Sequence, residues 1–173
     1  WGTVGKATAE AFGIKDYYSR RNKTVEISDV RNFKYIFICL PTPVNTKGEY
    51  ETKDIEDIVK EVGTEDNIIV LRSTVHPGFS RFLSTKYGVN VVFNPEFLSE
   101  DTAFEDAKNP THIVIGSDDV KIANEIKAIY TSRFARIEPI VTDSITAEFI
   151  KLGLNGFFTT KVVFANEMYD YAQ

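Results

Sequence analysis

Cysteine occurs once in the 173 residues, at Cys39, and histidine twice, at His76 and His112. A single cysteine excludes an internal disulfide, and so thin a set of ligands argues against a metal site. A surplus of basic residues is also lacking: 20 Lys and Arg stand against 25 Asp and Glu, a formal net charge of -5. Nucleic-acid binders carry a basic stripe or surplus, so no nucleic acid is expected as a partner. Apolar runs such as "YIFICL" fall far short of the roughly 20 residues that cross a bilayer, so no membrane span is expected. The chain opens on Trp1, with neither an initiator Met nor a signal peptide. Its other end, "KVVFANEMYDYAQ", stops inside a helical pattern without Gly, Asn or Pro to close it. Both ends read as cut. A free cysteine fits a reducing, cytoplasmic setting.

What is present is ordinary globular composition at a length that suits one domain with a sizeable core. Strand-like runs recur at Ile14 to Ser19, Tyr35 to Leu40, Ile68 to Arg72, Val89 to Phe93, His112 to Gly116 and Ile137 to Val141. Several are continuously apolar, as in strands covered on both faces. Between them, Ile55, Ile58, Val59 and Val62, and later Ile122, Ile126 and Ile129, repeat at helical spacing. The alternation predicts an α/β fold, a Rossmann-like, doubly wound and mainly parallel sheet with helices on both faces. From Asp143 or Ser144, either of which can cap it, one long helix is predicted to run to Gln173. Residues 1–142 thus read as a dinucleotide-binding domain and 143–173 as the start of a linking helix. Gly153 and Gly156 weaken that helix, so close packing is expected there, and Phe149, Leu152, Phe157 and Phe158 suggest that much of it is covered.

Chemistry gathers at the predicted element ends. In "WGTVGKATAEAF", Gly2 and Gly5 match the last two glycines of G-x-G-x-x-G. The first of these lets a pyrophosphate approach the backbone, and the second lets the helix pack closely on the sheet. The helix start at Thr3 and Val4 then offers unpaired N–H groups to phosphates. That motif follows a central strand, which is expected upstream of Trp1 and is missing from the chain. After the next predicted strand, Ser19, Arg20 and Arg21 stand where a ribose-binding acid is expected, which leaves NAD and NADP both open. Three further strands run into "CLPTP", "LRSTVHPG" and "NPEFLSE". Carboxyl ends of strands line the crevice of such a sheet, so Thr42, Pro43, Ser73, Thr74, Glu96 and Glu100 can converge there. On the long helix Lys151 and Asn155 share a face, and a partly buried Lys beside an amide suits an oxyanion.

Taken in order, "GTVGKATAEAF", "ICLPTPVN", "STVHPG", "NPEFLSEDTAFED", "NPTHIVIG" and "TAEFIKLGLNGFFTTKVVFANE" resemble the UDP-glucose/GDP-mannose dehydrogenase family over nearly the whole chain. The resemblance implies the NAD-binding domain and the first part of the linking helix, with the later nucleotide-sugar domains absent. It also implies two-step oxidation of a sugar C6 hydroxyl to a carboxylate, with NAD, through a cysteine thioester. Glu96 corresponds to the base of thioester hydrolysis and Thr74 to a residue that holds the catalytic water. Lys151 and Asn155 correspond to the oxyanion pair, and Phe97, Leu98, Ser99 and Glu100 to the segment lining the nucleotide sugar, with Glu100 near the nicotinamide. A homodimer through the long helix is implied as well. The chain departs from the family pattern at Asp101, where Gly is usual, at His112, where Arg is common, and at Ser19 in place of the ribose Asp. The catalytic cysteine is expected beyond Gln173, and Cys39 is expected to be buried and inert. Two rivals share the fold: another NAD(P)-dependent dehydrogenase of the hydroxy-acid type, and a dinucleotide-binding module without turnover.

Overall fold

The computed structural model describes residues 2–173. Helix α1 (Thr3–Phe12) and the short α2 (Ile27–Val30) precede β1 (Tyr35–Ile38). Then follow α3 (Lys53–Val62), β2 (Ile68–Leu71), α4 (Phe79–Tyr87), β3 (Asn90–Phe93), α5 (Ala103–Lys108), β4 (Val114–Gly116), α6 (Val120–Arg133), β5 (Ile140–Thr142) and α7 (Ser144–Ala172). The strands lie side by side in chain order, parallel except for one antiparallel contact, Phe93 opposite Gly116, between β3 and β4. The sheet is therefore mixed.

Strand alternation sorts the core onto two faces. Ile69, Leu71, Val91 and Phe93 pack with Ile55 and Val59 of α3 and Phe79 and Leu83 of α4. Ile68, Val70, Val92 and Ile115 pack with Ala11 of α1 and Ile126 and Tyr130 of α6. Being covered on both sides, β2 is buried throughout, which explains its unbroken apolar sequence.

Helix α7 enters this core by its first two turns. Asp143 caps it, its side chain accepting from the Thr146 N–H at 3.0 Å. Gly116 allows the close approach, since a Cβ there would lie 2.4 Å from the Ala147 Cβ. The fully buried Glu148 carboxylate accepts the backbone N–H groups of Gly78 and, at 2.8 Å, Ser80. It thereby satisfies the free donors at the start of α4, where the helix dipole favours an anion. Asp118 ties the same helices, accepting from Arg81 Nε at 2.7 Å and from Ser144 Oγ at 3.0 Å. The Arg81 guanidinium, with help from Ser144 and against partial burial, holds the Asp118 carboxyl down to about 2.

Three expectations fail. Ile14 to Ser19 is irregular backbone: Tyr17 N–H bonds Thr24 Oγ1 at 2.8 Å and Thr24 N–H bonds Tyr17 O at 2.9 Å, so the segment closes on its own turn. Strand residues need a neighbouring strand, and none among the described residues pairs with it. Gly153 and Gly156 are not closely packed, since a Cβ at either would meet nothing within 4 Å. Phe149, Phe157 and Phe158 are exposed: Phe149 lies on the outer face of the packed turns, and Phe157 and Phe158 lie beyond them.

Candidate functional site

The polar strand ends are knit together. At the end of β1 the Leu40 N–H bonds Ser73 Oγ at 2.9 Å, and Thr42 Oγ1 donates to Thr74 O at 2.7 Å. Pro43 stands exposed beside Thr42. Ser73 and Thr74 therefore serve as scaffold for the neighbouring loop. Cys39 is half-buried rather than buried as expected, just past the end of β1, and desolvation pushes its thiol upward.

Beyond β3 the backbone is irregular, and the Glu96 side chain closes a local turn. Its Oε2 accepts the Leu98 N–H at 2.8 Å, and its Oε1 accepts Lys151 Nζ at 2.9 Å. Lys151 Nζ also donates to the Glu96 carbonyl at 2.6 Å and lies 5.4 Å from the centre of the Phe97 ring. The pair is well buried, with side-chain exposures of 7% for Lys151 and 16% for Glu96. Phe97 in turn packs against His112, ring centres 4.3 Å apart. Farther along, Asp106 accepts the Ser99 N–H at 2.9 Å and Thr102 Oγ1 at 2.8 Å, and these bonds, Ser99's foremost, hold its carboxyl below the usual range. Glu100 and Asn155 are exposed, Asn155 one turn beyond Lys151. The structure thus brings Glu96, Phe97, Leu98, Ser99 and Lys151 together and leaves Glu100 and Asn155 exposed to solvent.

A cavity of about 240 Å³ opens at this turn, lined by Glu96 to Ser99, by Thr8 and Phe12 of α1, and by His112 and Tyr130. Its inner wall carries a polar cluster that the sequence did not single out. Arg72 Nη1 donates to Asn94 Oδ1 and, at 2.9 Å, to Tyr130 OH; Tyr130 OH donates to Asn94 Oδ1; Asn94 Nδ2 donates to Val114 O at 2.8 Å. Burial pushes the Tyr130 phenol upward. The one local signal was an arginine ending the apolar run "IIVLR".

The start of α1 has the donor set that a dinucleotide pyrophosphate needs. Gly2 sits at the N-cap in extended conformation, no side chain caps the helix, and no acid occupies its first turn. The first-turn N–H groups of Thr3, Val4 and Gly5 have no partner within the helix. Gly5 is buried, as a close helix contact requires. Ser19 is held in its own turn, Oγ donating to Asn22 O at 2.6 Å, and Arg20 pairs with Asp54 at 3.1 Å on the surface. Among the described residues there is no cluster of three or more His, Cys, Asp or Glu that could hold a metal, and no helix long and apolar enough to cross a membrane.

Known proteins resemble this chain in sequence and in fold. A profile described as the UDP-glucose/GDP-mannose dehydrogenase family, NAD binding domain, matches residues 14–134. UDP-glucose 6-dehydrogenase of Rickettsia typhi is 36% identical over 155 residues, covering 84% of this chain and 36% of that protein. GDP-mannose 6-dehydrogenase of Azotobacter vinelandii is 36% identical over 154 residues, covering 79% of this chain and 35% of that one. The ternary complex of GDP-mannose dehydrogenase from Pseudomonas aeruginosa superposes with a TM-score of 0.73 at 26% identity, over 94% of this chain and 44% of that one. This chain spans about a third of the length of the curated relatives it matches. The glycine-bearing start of α1 lies outside the profile match and stands on its own geometry. With profile, curated relatives and superposed fold in agreement, the chain belongs to the UDP-glucose/GDP-mannose dehydrogenase family and carries that family's NAD-binding domain.

Proposed function

We propose that this chain forms the NAD-binding region and one wall of the sugar site in a nucleotide-sugar 6-dehydrogenase, which converts a C6 hydroxyl to the uronic acid. Residues 1–142 form the cofactor domain and 143–173 begin the helix that links it onward. The observation that carries the reading is the buried Lys151–Glu96 pair, which joins α7 to the loop after β3 beside the cavity. A surface ion pair has no need of a cavity or of a second bond from the ammonium to a backbone carbonyl.

Taking a C6 hydroxyl to a carboxylate removes four electrons, so NAD, when bound, would serve twice, accepting two electrons in each step. Gly2, Thr3, Val4 and Gly5 hold its pyrophosphate, Ser19 and Arg20 face the ribose, and Thr42, Pro43, Ser73 and Glu100 border the rest. Lys151 places a desolvated positive charge where oxygen at C6 becomes anionic, and Asn155 completes that support from the next turn. Glu96 takes the proton of the water that releases the acid, and Thr74 positions that water. The backbone from Phe97 to Ser99 orients the nucleotide sugar. The reading brings with it a cytoplasmic setting and a homodimer through α7, whose exposed Phe157, Phe158, Val162, Phe164 and Met168 suit a partner helix.

The test is Glu96→Gln in the enzyme at the length of its relatives. Loss of a positioned base slows turnover by about 10²–10⁴-fold. Intact-protein mass spectrometry then shows the sugar nucleotide held on the enzyme covalently, while NAD binding by titration is unchanged. Turnover at the parent rate, or slow turnover with nothing trapped, overturns the role of Glu96. Failure of NAD to bind the parent overturns the whole reading.

A further inference from the structure

Asn94 follows β3 directly, two residues ahead of Glu96, and is 1% exposed. Its side-chain amide is tied at both ends. Oδ1 accepts from Arg72 Nη1 and Tyr130 OH, and Nδ2 donates to Val114 O at 2.8 Å. The two amide atoms are nearly equal in size, so shape alone does not say which way round the group sits. Its neighbours do. A guanidinium has no acceptor and a peptide carbonyl no donor, so Arg72 takes the oxygen and Val114 the nitrogen. The bond to Val114 is a further tie at the junction where β3 and β4 share one backbone pair, Phe93 opposite Gly116. Only Pro95, its φ fixed by the ring, separates that anchor from Glu96. On its other side Glu96 is held by Lys151, a point charge on a flexible stem that sets distance better than direction. A buried guanidinium among neutral oxygens also costs desolvation that an apolar side chain would avoid.

We propose that Asn94 is a positioning residue that aims the Glu96 carboxylate, and that Arg72 acts through it by fixing the orientation of its amide. With the amide reversed, Nδ2 would face the Arg72 donor and Oδ1 the Val114 carbonyl, two repulsive contacts in place of two bonds. The end of β3 would then part from β4, and the Glu96 carboxylate would shift from the Leu98 N–H that it accepts at 2.8 Å. The Tyr130 hydroxyl, donor and acceptor both, follows whichever orientation Arg72 sets. The effect on turnover rests on the proposed function. Glu96 is needed when water releases the acid, so misaiming it slows that step and spares the first hydride transfer. The aiming itself rests on the bonds around Asn94.

The test compares Arg72→Gln with Arg72→Lys. Glutamine offers an acceptor as well as a donor and frees the Asn94 amide to turn over. Lysine is donor-only, and one ammonium can replace the single nitrogen from which both Arg72 bonds leave. In the full chain, hydrogen exchange at the Leu98 amide, read by NMR, should rise about tenfold in Arg72→Gln and stay near the parent value in Arg72→Lys. In the enzyme at the length of its relatives, Arg72→Gln should slow acid release by about ten- to a hundredfold. The first hydride transfer should keep the parent rate, and the sugar nucleotide should be found trapped covalently. Parent exchange at Leu98 in Arg72→Gln, or an equal rise across the whole chain or in both variants, overturns the positioning role. A rise at Leu98 with no trapped sugar nucleotide supports the aiming and overturns the catalytic role of Glu96 instead. If Arg72→Gln does not fold, Asn94→Asp decides. That change keeps the shape, pairs with Arg72 and sets an oxygen against Val114 O, so the same rise at Leu98 is expected and parent exchange overturns the proposal. Exchange at Leu98 needs neither NAD nor turnover, so its failure is distinguishable from failure of the dehydrogenase reading.

Discussion

Between Ser144 and Lys151, helix α7 buries Ser144, Ala147, Glu148 and Lys151 while exposing Phe149; from Asn155 to Gln173 every residue is exposed, Phe157, Phe158, Phe164 and Tyr169 included. One helix thus buries polar groups at its start and shows apolar ones along its remainder. The difference follows from what each half meets. The first half lies on loops that end in unpaired N–H and C=O groups, so an acid and an ammonium are what satisfy them. The second half packs on no other element among the described residues. A buried Glu or Lys therefore marks a junction between elements, whereas an exposed Phe marks surface that none of the described residues covers.

The largest expected effect breaks the first half. Lys151→Met leaves Glu96 buried without its partner, and about 3 kcal/mol of stability should be lost in urea unfolding. The same change at Lys161, on the exposed half, should stay within about 0.5 kcal/mol. Glu148→Ala strips the start of α4 of its acceptor and should cost about 2 kcal/mol, with faster hydrogen exchange at Gly78 and Ser80.

Acid should act at the same junction. The Asp118 carboxyl is held below its unfolded value of 3.8, at about 2, by Arg81 and Ser144. A depressed carboxyl stabilises the fold above the unfolded value, and that contribution disappears as pH falls through the folded one. Parent stability should therefore drop between pH 4 and pH 2 more steeply than that of Asp118→Asn, measured by thermal melts across that range. Asp118 is partly exposed, so salt should shrink the difference.

On the exposed half the effects are small and one has the opposite sign. Gly156→Ala has open space for its methyl group and should stabilise the helix by about 0.5–1 kcal/mol. Phe164→Ser should change stability by less than about 0.5 kcal/mol at low concentration. A larger loss that appears only as concentration rises would show that a second copy covers this half, and sedimentation of both forms would sharpen the contrast.

Much of this was legible without coordinates, for local reasons. The spacing of Ile55, Val59 and Val62 places them on one helix face whatever the partner, and an unbroken run such as Ile68 to Leu71 suits a strand covered twice. Asp143 was readable as a cap because its bond to Thr146 spans three residues. The polar strand ends followed from the α/β pattern, while Glu96 and Lys151 were singled out as candidates through the family resemblance and the chemistry of their neighbours. Ile14 to Ser19 was misread because β propensity describes fit to a neighbour that composition cannot supply. The remaining unread features are all long-range. Arg72 meets Tyr130 across 58 positions, Lys151 meets Glu96 across 55, and Glu148 meets Gly78 across 70. No periodicity reports such pairs, because they depend on how closely α7 settles against Gly116 and on how α6 lies over β3. Side-chain spacing specifies which face of an element is apolar; only the packed sheet and helices select which buried charge meets which partner.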